Sequence, residues 1–472
     1  MGEGKITRDP MSEEDRDRDR GRRQDPAGRE RTRAVVLHPD LRQRKPDVGA
    51  AADTVRQPHA RLDEAVGLAM AIDVDVVLAE IVPVAQIRPA TLFGSGKVEA
   101  LTGIIAGCDA ELVIVDTALS PVQQRSLERA WKVKVLDRTG LILEIFGLRA
   151  RTSEGRLQVE LAHLNYQKSR LVRSWTHLER QRGGLGTVGG PGETQIEADR
   201  RQIQERIIRL ERQLETVRRT RDLHRESRRK VPYPIIALVG YTNAGKSTLF
   251  NRMTDADVFA RDLLFATLDP TMRMIVLPHG RKAILSDTVG FISDLPTHLI
   301  AAFRATLEEV LEADVILHVR DIAHEDSGAQ AADVDDVLAT LGIDQHRRED
   351  VIEVWNKIDL LDHQRRALVL NQSGRAAHAV TVSAVTGEGI DSLLAAVETH
   401  LARHAVEMVV DVETADGAGL NWLYEHCEVL DRGDLDDGRT RLTVRVELAA
   451  RARLLVRFPQ ASPLHVVAAV AE

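Results

Sequence analysis

Apolar positions along the chain change period four times, and each change marks a boundary. From residue 34 to 154, short β-rich runs ("VDVVLAEIV", "AELVIVD", "VKVLD") alternate with helical stretches ("KVEALTGIIAG", "SPVQQRSLERAW", "TGLILEIF"). That alternation predicts a small α/β domain on a parallel sheet. Next, Leu157, Leu161, Leu164, Leu171, Trp175 and Leu178 fall at alternating steps of four and three, with Lys168 in the one missing slot. Ile203, Ile207, Leu210, Leu214 and Val217 repeat the spacing beyond a Gly-rich connection. Two heptad stripes of similar length predict an antiparallel helical hairpin over residues 155–230. "YPIIALVG" then reads as a buried strand that opens a doubly wound α/β domain over 231–403. The last runs, "VEMVVDVETADGAGLNWLYEH" and "RTRLTVRVELAARARLLVRF", predict a further small α/β domain over 404–472. Residues 1–33 alternate Asp, Glu and Arg with almost no apolar side chains, too few to offset the entropy of ordering, and read as a disordered tail. The fold class expected is therefore multidomain α/β.

Composition narrows this picture. A chain of 472 residues with 43% apolar content is long enough for several cores. Cys108 and Cys427 are the only cysteines, which supplies neither a disulfide framework nor a thiolate cluster, so a reducing compartment is expected. No stretch has the length and apolar character of a signal sequence or a membrane span, and a cytoplasmic monomer is expected. A net charge of −8 argues against binding nucleic acid over the whole surface, yet the hairpin is rich in arginine, including Arg182, Arg200 and Arg201.

Two glycine motifs need sorting before any chemistry is assigned. "GSGK" at residues 94–97 resembles the end of a phosphate loop, but Thr91 stands where the full motif has its first glycine, so a turn before a helix is expected. "GGLGTVGGPGETQIE" at residues 183–197 spells Gly184-x-Gly186-x-x-Gly189, as in a dinucleotide-binding turn. That turn must follow a β-strand, and here the preceding "LVRSWTHLERQR" is helical. The glycines instead describe the tip of a stalk, which about 25 residues of helix would hold roughly 40 Å from its base.

The loop after "YPIIALVG" has the required context. Gly240-Tyr241-Thr242-Asn243-Ala244-Gly245-Lys246-Ser247 is a complete phosphate loop, and Thr248 continues into a helix. Backbone amides and the helix N-terminus face phosphates, Lys246 supplies a positive charge, and the Ser247 hydroxyl suits Mg²⁺. "AILSDTVGF" ends a strand in Asp287-x-x-Gly290, where the carboxylate holds the metal through water and the Gly290 amide senses a γ-phosphate. "VIEVWNKID" places Asn356, Lys357 and Asp359 after another strand; a carboxylate accepts two hydrogen bonds from guanine N1 and N2, a pair adenine lacks. "TVSAVTGEG" adds Ser383 and Ala384, whose backbone can contact the base O6. The order and spacing of these stretches predict a GTP/GDP site with Lys246, Thr267 and Gly290 as catalytic residues. Ser247, Thr267 and Asp287 are the metal set, with Thr271 the alternative to Thr267. Phe291 stands where many small GTPases place a water-orienting Gln, so intrinsic turnover is expected to be slow and to depend on a partner or an ion. Asn243 is either a ligand for K⁺ or a loop-stabilising residue.

With these residues in hand, the chain resembles the HflX family of translational GTPases. The combination "GSGKVEAL", "DRTGLILEIF", "RTSEGRLQVELAHLNY" and "GGPGETQIEADRR" carries the resemblance, which spans roughly residues 34–404. It implies binding to the large ribosomal subunit and its rRNA, with the stalk reaching toward the peptidyl-transferase region, and splitting of stalled ribosomes under stress. In that setting Gly184, Gly186, Gly189 and Gly190 let backbone approach packed rRNA while Arg182, Arg200 and Arg201 meet phosphates. The family is also associated with ATP use through its N-terminal region, which the residues here neither support nor exclude. The residues alone leave two functions open: a ribosome-stimulated GTPase that separates subunits, and a nucleotide-gated docking or assembly factor with incidental hydrolysis.

Overall fold

The computed structural model describes residues 31–41, 56–150, 152–181, 195–228, 233–254, 265, 271–293, 309–343, 350–376, 378–403, 405–435 and 438–464. The charged tail up to residue 30, Thr267, Arg182, Gly184, Gly186, Gly189 and Gly190 lie outside the described residues. The chain divides into two compact units. One holds the residues up to Ala150 with Val159–Leu210, and the other holds Arg151–Gln158 with Glu211–Glu472.

In the first unit, strands β1 (Arg33–Leu41), β2 (Asp75–Val84), β3 (Leu112–Val115) and β4 (Lys134–Asp137) form a sheet in the order β2-β1-β3-β4, parallel throughout as the alternation predicts. Helices α1 (Pro58–Met70), α2 (Ser95–Gly107), α3 (Pro121–Trp131) and α4 (Arg138–Arg149) alternate with them. "GSGK" opens the helix itself rather than forming a turn ahead of it: Gly94 is the N-cap of α2, Ser95–Lys97 are its first residues, and Lys97 pairs with Glu80 at 2.8 Å. α3 starts where Ser120 and Gln123 form a reciprocal capping box ahead of Pro121. α4 starts at Asp137, whose carboxylate accepts from the Gly140 amide at 2.8 Å.

The heptad stripes form two long helices, α5 (Ser153–Gln181) and α6 (Gln195–Arg228). On α6 the spacing is legible, since Ile207, Leu210 and Leu214 are buried. On α5 the buried side is rotated: Val159 and Ala162 are buried with Leu164, while Leu157 and Leu161 are only half-buried. The reason is that α5 also packs on the sheet domain. Tyr166 donates to Asp137 at 2.5 Å and Arg170 donates to Asp137 at 2.6 Å, while Glu160 accepts from Arg206 and Lys168 donates to Gln204 of α6. Lys168, the polar residue in the missing heptad slot, therefore faces the neighbouring helix.

In the second unit, β5 (Ile235–Gly240), β6 (Thr271–Val276), β7 (Lys282–Asp287), β8 (Val315–Asp321), β9 (Val351–Asn356) and β10 (Ala379–Thr381) build a six-stranded sheet in the order β10-β9-β8-β5-β7-β6. Only β6 is antiparallel to its neighbour. Helices α7 (Lys246–Thr254), α8 (Ser327–Thr340), α9 (His363–Ser373) and α10 (Ile390–Arg403) belong to this domain. Its core gathers Ile236, Leu238, Leu249, Phe250, Leu317 and Val354, so the carboxyl ends of β5, β7, β8 and β9 are held rigidly on one edge. The C-terminal segment adds an antiparallel sheet, β12-β13-β11-β14, of β11 (Ala405–Glu413), β12 (Glu428–Asp434), β13 (Arg439–Glu447) and β14 (Ser462–Pro463), with helices α11 (Gly417–His426) and α12 (Leu448–Arg457). Among the described residues no helix is long and apolar enough to cross a membrane.

Candidate functional site

The site lies at the carboxyl edge of the six-stranded sheet, where open α/β folds bind ligands. β5 ends at Gly240 and α7 begins at Lys246, so the connecting residues form a tight loop over a helix N-terminus. Gly245 adopts φ 94°, and any Cβ there would run into the Asn356 carboxamide. Asn243 is exposed at the loop's outer bend with φ 60°, a left-handed conformation that asparagine tolerates better than most residues. Lys246 is buried and donates to the carbonyls of Gly240 at 3.0 Å and Tyr241 at 2.8 Å. Burial pushes its pKa down to about 8, against the opposing pull of Asp287.

The end of β7 closes over this loop. Ser247 donates to Asp287 at 2.7 Å, which brings together a hydroxyl and a carboxylate from two elements. The set is all oxygen and carries one negative charge, which is what Mg²⁺ prefers. Thr271, the alternative metal threonine, is the first residue of β6 and pairs in register with Asp287. Gly290 packs so closely that a Cβ would lie 3.0 Å from Thr242 and 3.1 Å from the Lys246 ammonium. Phe291 then pairs with the phosphate loop like a short parallel strand: its amide donates to Gly240 at 3.0 Å and its carbonyl accepts from Thr242 at 2.7 Å. Its ring is 1% exposed, so it belongs to the core and presents nothing that orients water. The Tyr241 hydroxyl accepts from the Ser293 amide at 2.8 Å and ties the same segment down one turn further on.

The base side is assembled by Asn356. Its amide nitrogen donates to Ala244 at 2.9 Å, and its oxygen accepts from the Ala384 amide at 3.0 Å, so one side chain joins the phosphate loop to the "SAVTGEG" turn. Lys357 has φ 69° and pairs with Asp321, at the end of β8, at 2.8 Å. Asp359 follows in a short 3₁₀ turn, Ile358–Leu360, and is exposed. Ser383 is fully buried, and its hydroxyl accepts from Thr386 at 3.1 Å. The structure thus brings the residues from Gly240 to Thr248 together with Asp287, Gly290, Asn356, Lys357, Asp359, Ser383 and Ala384. Arg200 and Arg201, far along the chain on α6, are exposed. Sequence reasoning passed over three contributors: Asp321, Arg252 and the Tyr241 hydroxyl. Only Asp321 leaves a signal, as the acidic end of the apolar run "VILHV".

A phosphate loop between a central parallel strand and a helix, with Asp-x-x-Gly, Asn-Lys-x-Asp and Ser-Ala turns on the same edge, defines a P-loop GTPase domain. Residues 235–357 match the family described as 50S ribosome-binding GTPase. Residues 59–147 and 149–228 match the N-terminal and middle regions of the GTP-binding GTPases, and residues 368–460 match the HflX C-terminal domain. The chain is 49% identical to the GTPase HflX of Magnetococcus marinus over 388 residues, which cover 82% of this chain and 88% of that one. It is 43% identical to the GTPase HflX of Escherichia coli over 372 residues, 79% of this chain and 86% of the relative. A putative GTP-binding protein 6 of Xenopus laevis is 36% identical over 425 residues, 89% and 78% of the two chains. The chain belongs to the HflX family of GTPases.

Proposed function

We propose that this GTPase binds the large ribosomal subunit through the arginine-rich hairpin and its glycine tip, and separates the subunits of stalled or idle ribosomes under stress, acting as a cytoplasmic monomer. The observation that carries the ribosomal part of the reading is the match of residues 235–357 to the 50S ribosome-binding GTPase family, while the joined site supports the nucleotide part: Asn356 couples the phosphate loop to the base-reading turn, and Ser247 meets Asp287 beside Lys246. In this reading Lys246 exchanges the Gly240 and Tyr241 carbonyls for phosphate oxygens, and the Gly290 amide donates to the γ-phosphate. Asp359 accepts from guanine N1 and N2, and the backbone of Ser383 and Ala384 reads O6. Ser247, Asp287 and a threonine, Thr267 or Thr271, would hold Mg²⁺, which would supply positive charge beside the phosphates. Phe291 supplies no group that orients water, which supports turnover that depends on the ribosome or on an ion such as K⁺ held by Asn243. Arg182, Arg200 and Arg201 meet rRNA phosphates, and Gly184, Gly186, Gly189 and Gly190 allow close backbone approach.

A sucrose-gradient profile of 70S ribosomes with GTP, GDP and a non-hydrolysable analogue tests the proposal. Separation with GTP and with the analogue, but not with GDP, is expected, since the GTP-bound form drives splitting and hydrolysis serves release. Intact 70S particles under all three conditions, with binding confined to immature large subunits, would show an assembly checkpoint instead.

A further inference from the structure

We infer that Arg252 is a positioning residue for base recognition, tying the helix behind the phosphate loop to the turn that reads guanine. Arg252 sits on the last turn of α7, whose first residues are Lys246 and Ser247. Its guanidinium Nε donates to the Ala384 carbonyl at 3.2 Å, and Nη2 donates to the Val385 carbonyl. A planar fork that reaches two successive carbonyls fixes the orientation of the peptides between them.

The turn needs such a fastening. Ser383 and Gly387 close it from one side, through the Gly387 amide donating to the Ser383 carbonyl at 2.8 Å and the Thr386 amide donating to the Ser383 hydroxyl at 3.1 Å. Gly387 has φ 89°, and a Cβ there would stand 3.8 Å from the Arg252 guanidinium, so the turn folds around the arginine. The two peptide groups of Ala384 are therefore held by different elements. Its amide is fixed to Asn356 at the end of β9, and its carbonyl to Arg252 on α7. The Ala384 carbonyl and the Val385 amide share one peptide plane, so Arg252 orients the N–H that follows Ala384 in the turn proposed above to read the 6-oxo position, and a donor's worth falls steeply as its angle departs from linear. Arg252 sets that angle without touching the base. Because it rides on the phosphate-binding helix, it also links the base side of the site to the phosphate side.

This inference rests on the guanine site proposed above, and the test separates the two. Affinities of GDP and of 2-aminopurine riboside diphosphate, which lacks the 6-oxo group and with it the N1 hydrogen that Asp359 would accept, are measured by calorimetry for the full chain, for Arg252→Met and for Arg252→Lys. Methionine keeps the apolar stem and removes the fork, while lysine keeps the charge and can reach one carbonyl. The unaltered protein is expected to prefer GDP. Arg252→Met is expected to bind GDP about tenfold more weakly, roughly the loss of one neutral hydrogen bond to the 6-oxo group. It should bind the 2-aminopurine nucleotide as before, so the preference shrinks by the same factor. Arg252→Lys should recover part of it. Equal weakening toward both nucleotides, or no change toward either, would overturn the role of Arg252 and leave the site reading intact. Equal affinity of the unaltered protein for the two nucleotides would overturn the guanine reading of the Ala384 turn, and the inference with it.

Discussion

Lys246 carries a charge that the surrounding protein disfavours. Its burial lowers its pKa to about 8, while Asp287 pulls the other way. A polyphosphate in the loop would favour the charged form and raise that pKa again. The sign follows: below about pH 8 the lysine is already protonated and binding takes up no proton through it. Above that value the free chain holds it neutral, binding must add a proton, and affinity falls by up to about tenfold per pH unit until the bound-state pKa is reached. Calorimetry of GDP binding at pH 9 in two buffers of different ionisation enthalpy should show uptake approaching one proton, absent at pH 6.5. Uptake that is the same at both pH values would remove Lys246 from the phosphate contact. Asn243 poses a different question at the same scale. Its φ of 60° means that alanine would introduce backbone strain, so glycine is the substitution that removes the carboxamide alone. If the carboxamide holds K⁺, ribosome-stimulated hydrolysis should be faster in K⁺ than in Na⁺, and Asn243→Gly should abolish the difference. Equal rates in both salts for the unaltered protein would dismiss the ion.

At the scale of elements, the strands and helices of both α/β domains are legible because burial and period coincide. β3 is a run of four buried residues, and α3 announces itself through Ser120, Pro121 and Gln123. The phosphate loop is legible for a different reason: its chemistry demands fixed residue types at fixed spacing, and both flanking elements can be read beside it. α5 shows where this stops. A heptad stripe describes one seam, and α5 serves two, so Val159 and Ala162 are buried where Leu157 and Leu161 are not fully so. The second seam is made of polar contacts that carry no period. Asp137, 1% exposed, accepts from Gly140, Leu119, Tyr166 and Arg170, which come from three stretches of chain. The same holds for the buried cluster at the carboxyl ends of β1, β3 and β4. There His38 meets Asp116 at 2.8 Å, and Arg138 joins Asp116 to Glu64, itself paired with Arg56 at 2.9 Å. Burial would raise the Asp116 carboxyl, but Arg138 and His38 outweigh it and hold the group below its ordinary value. Such a network depends on contacts between partners up to 78 positions apart, and no local pattern signals it. Arg252 and Tyr241 are equally silent in the sequence, since their partners are backbone groups that any sequence supplies.

For the whole molecule, the question is whether the hairpin serves the nucleotide chemistry or the partner. α5 has 29 residues and is about 40 Å long at 1.5 Å per residue, a span over which no side chain of the tip would share phosphates with Lys246 if the tip stands off as a stalk. Shortening residues 184–190 should therefore leave GTP affinity unchanged. Ribosome binding should weaken, and its salt dependence should become shallower, by roughly one unit of log-log slope for each rRNA phosphate that the arginines no longer reach. Subunit splitting should fail more completely than binding, because the remaining basic surface would still meet rRNA while the tip no longer reached its place. A hairpin whose connection merely closes two helices makes the opposite forecast, with binding and splitting both unaffected. If GTP affinity collapses while circular dichroism shows the variant folded, the glycines of residues 184–190 belong to a phosphate-binding turn after all, and the stalk reading of that loop is wrong.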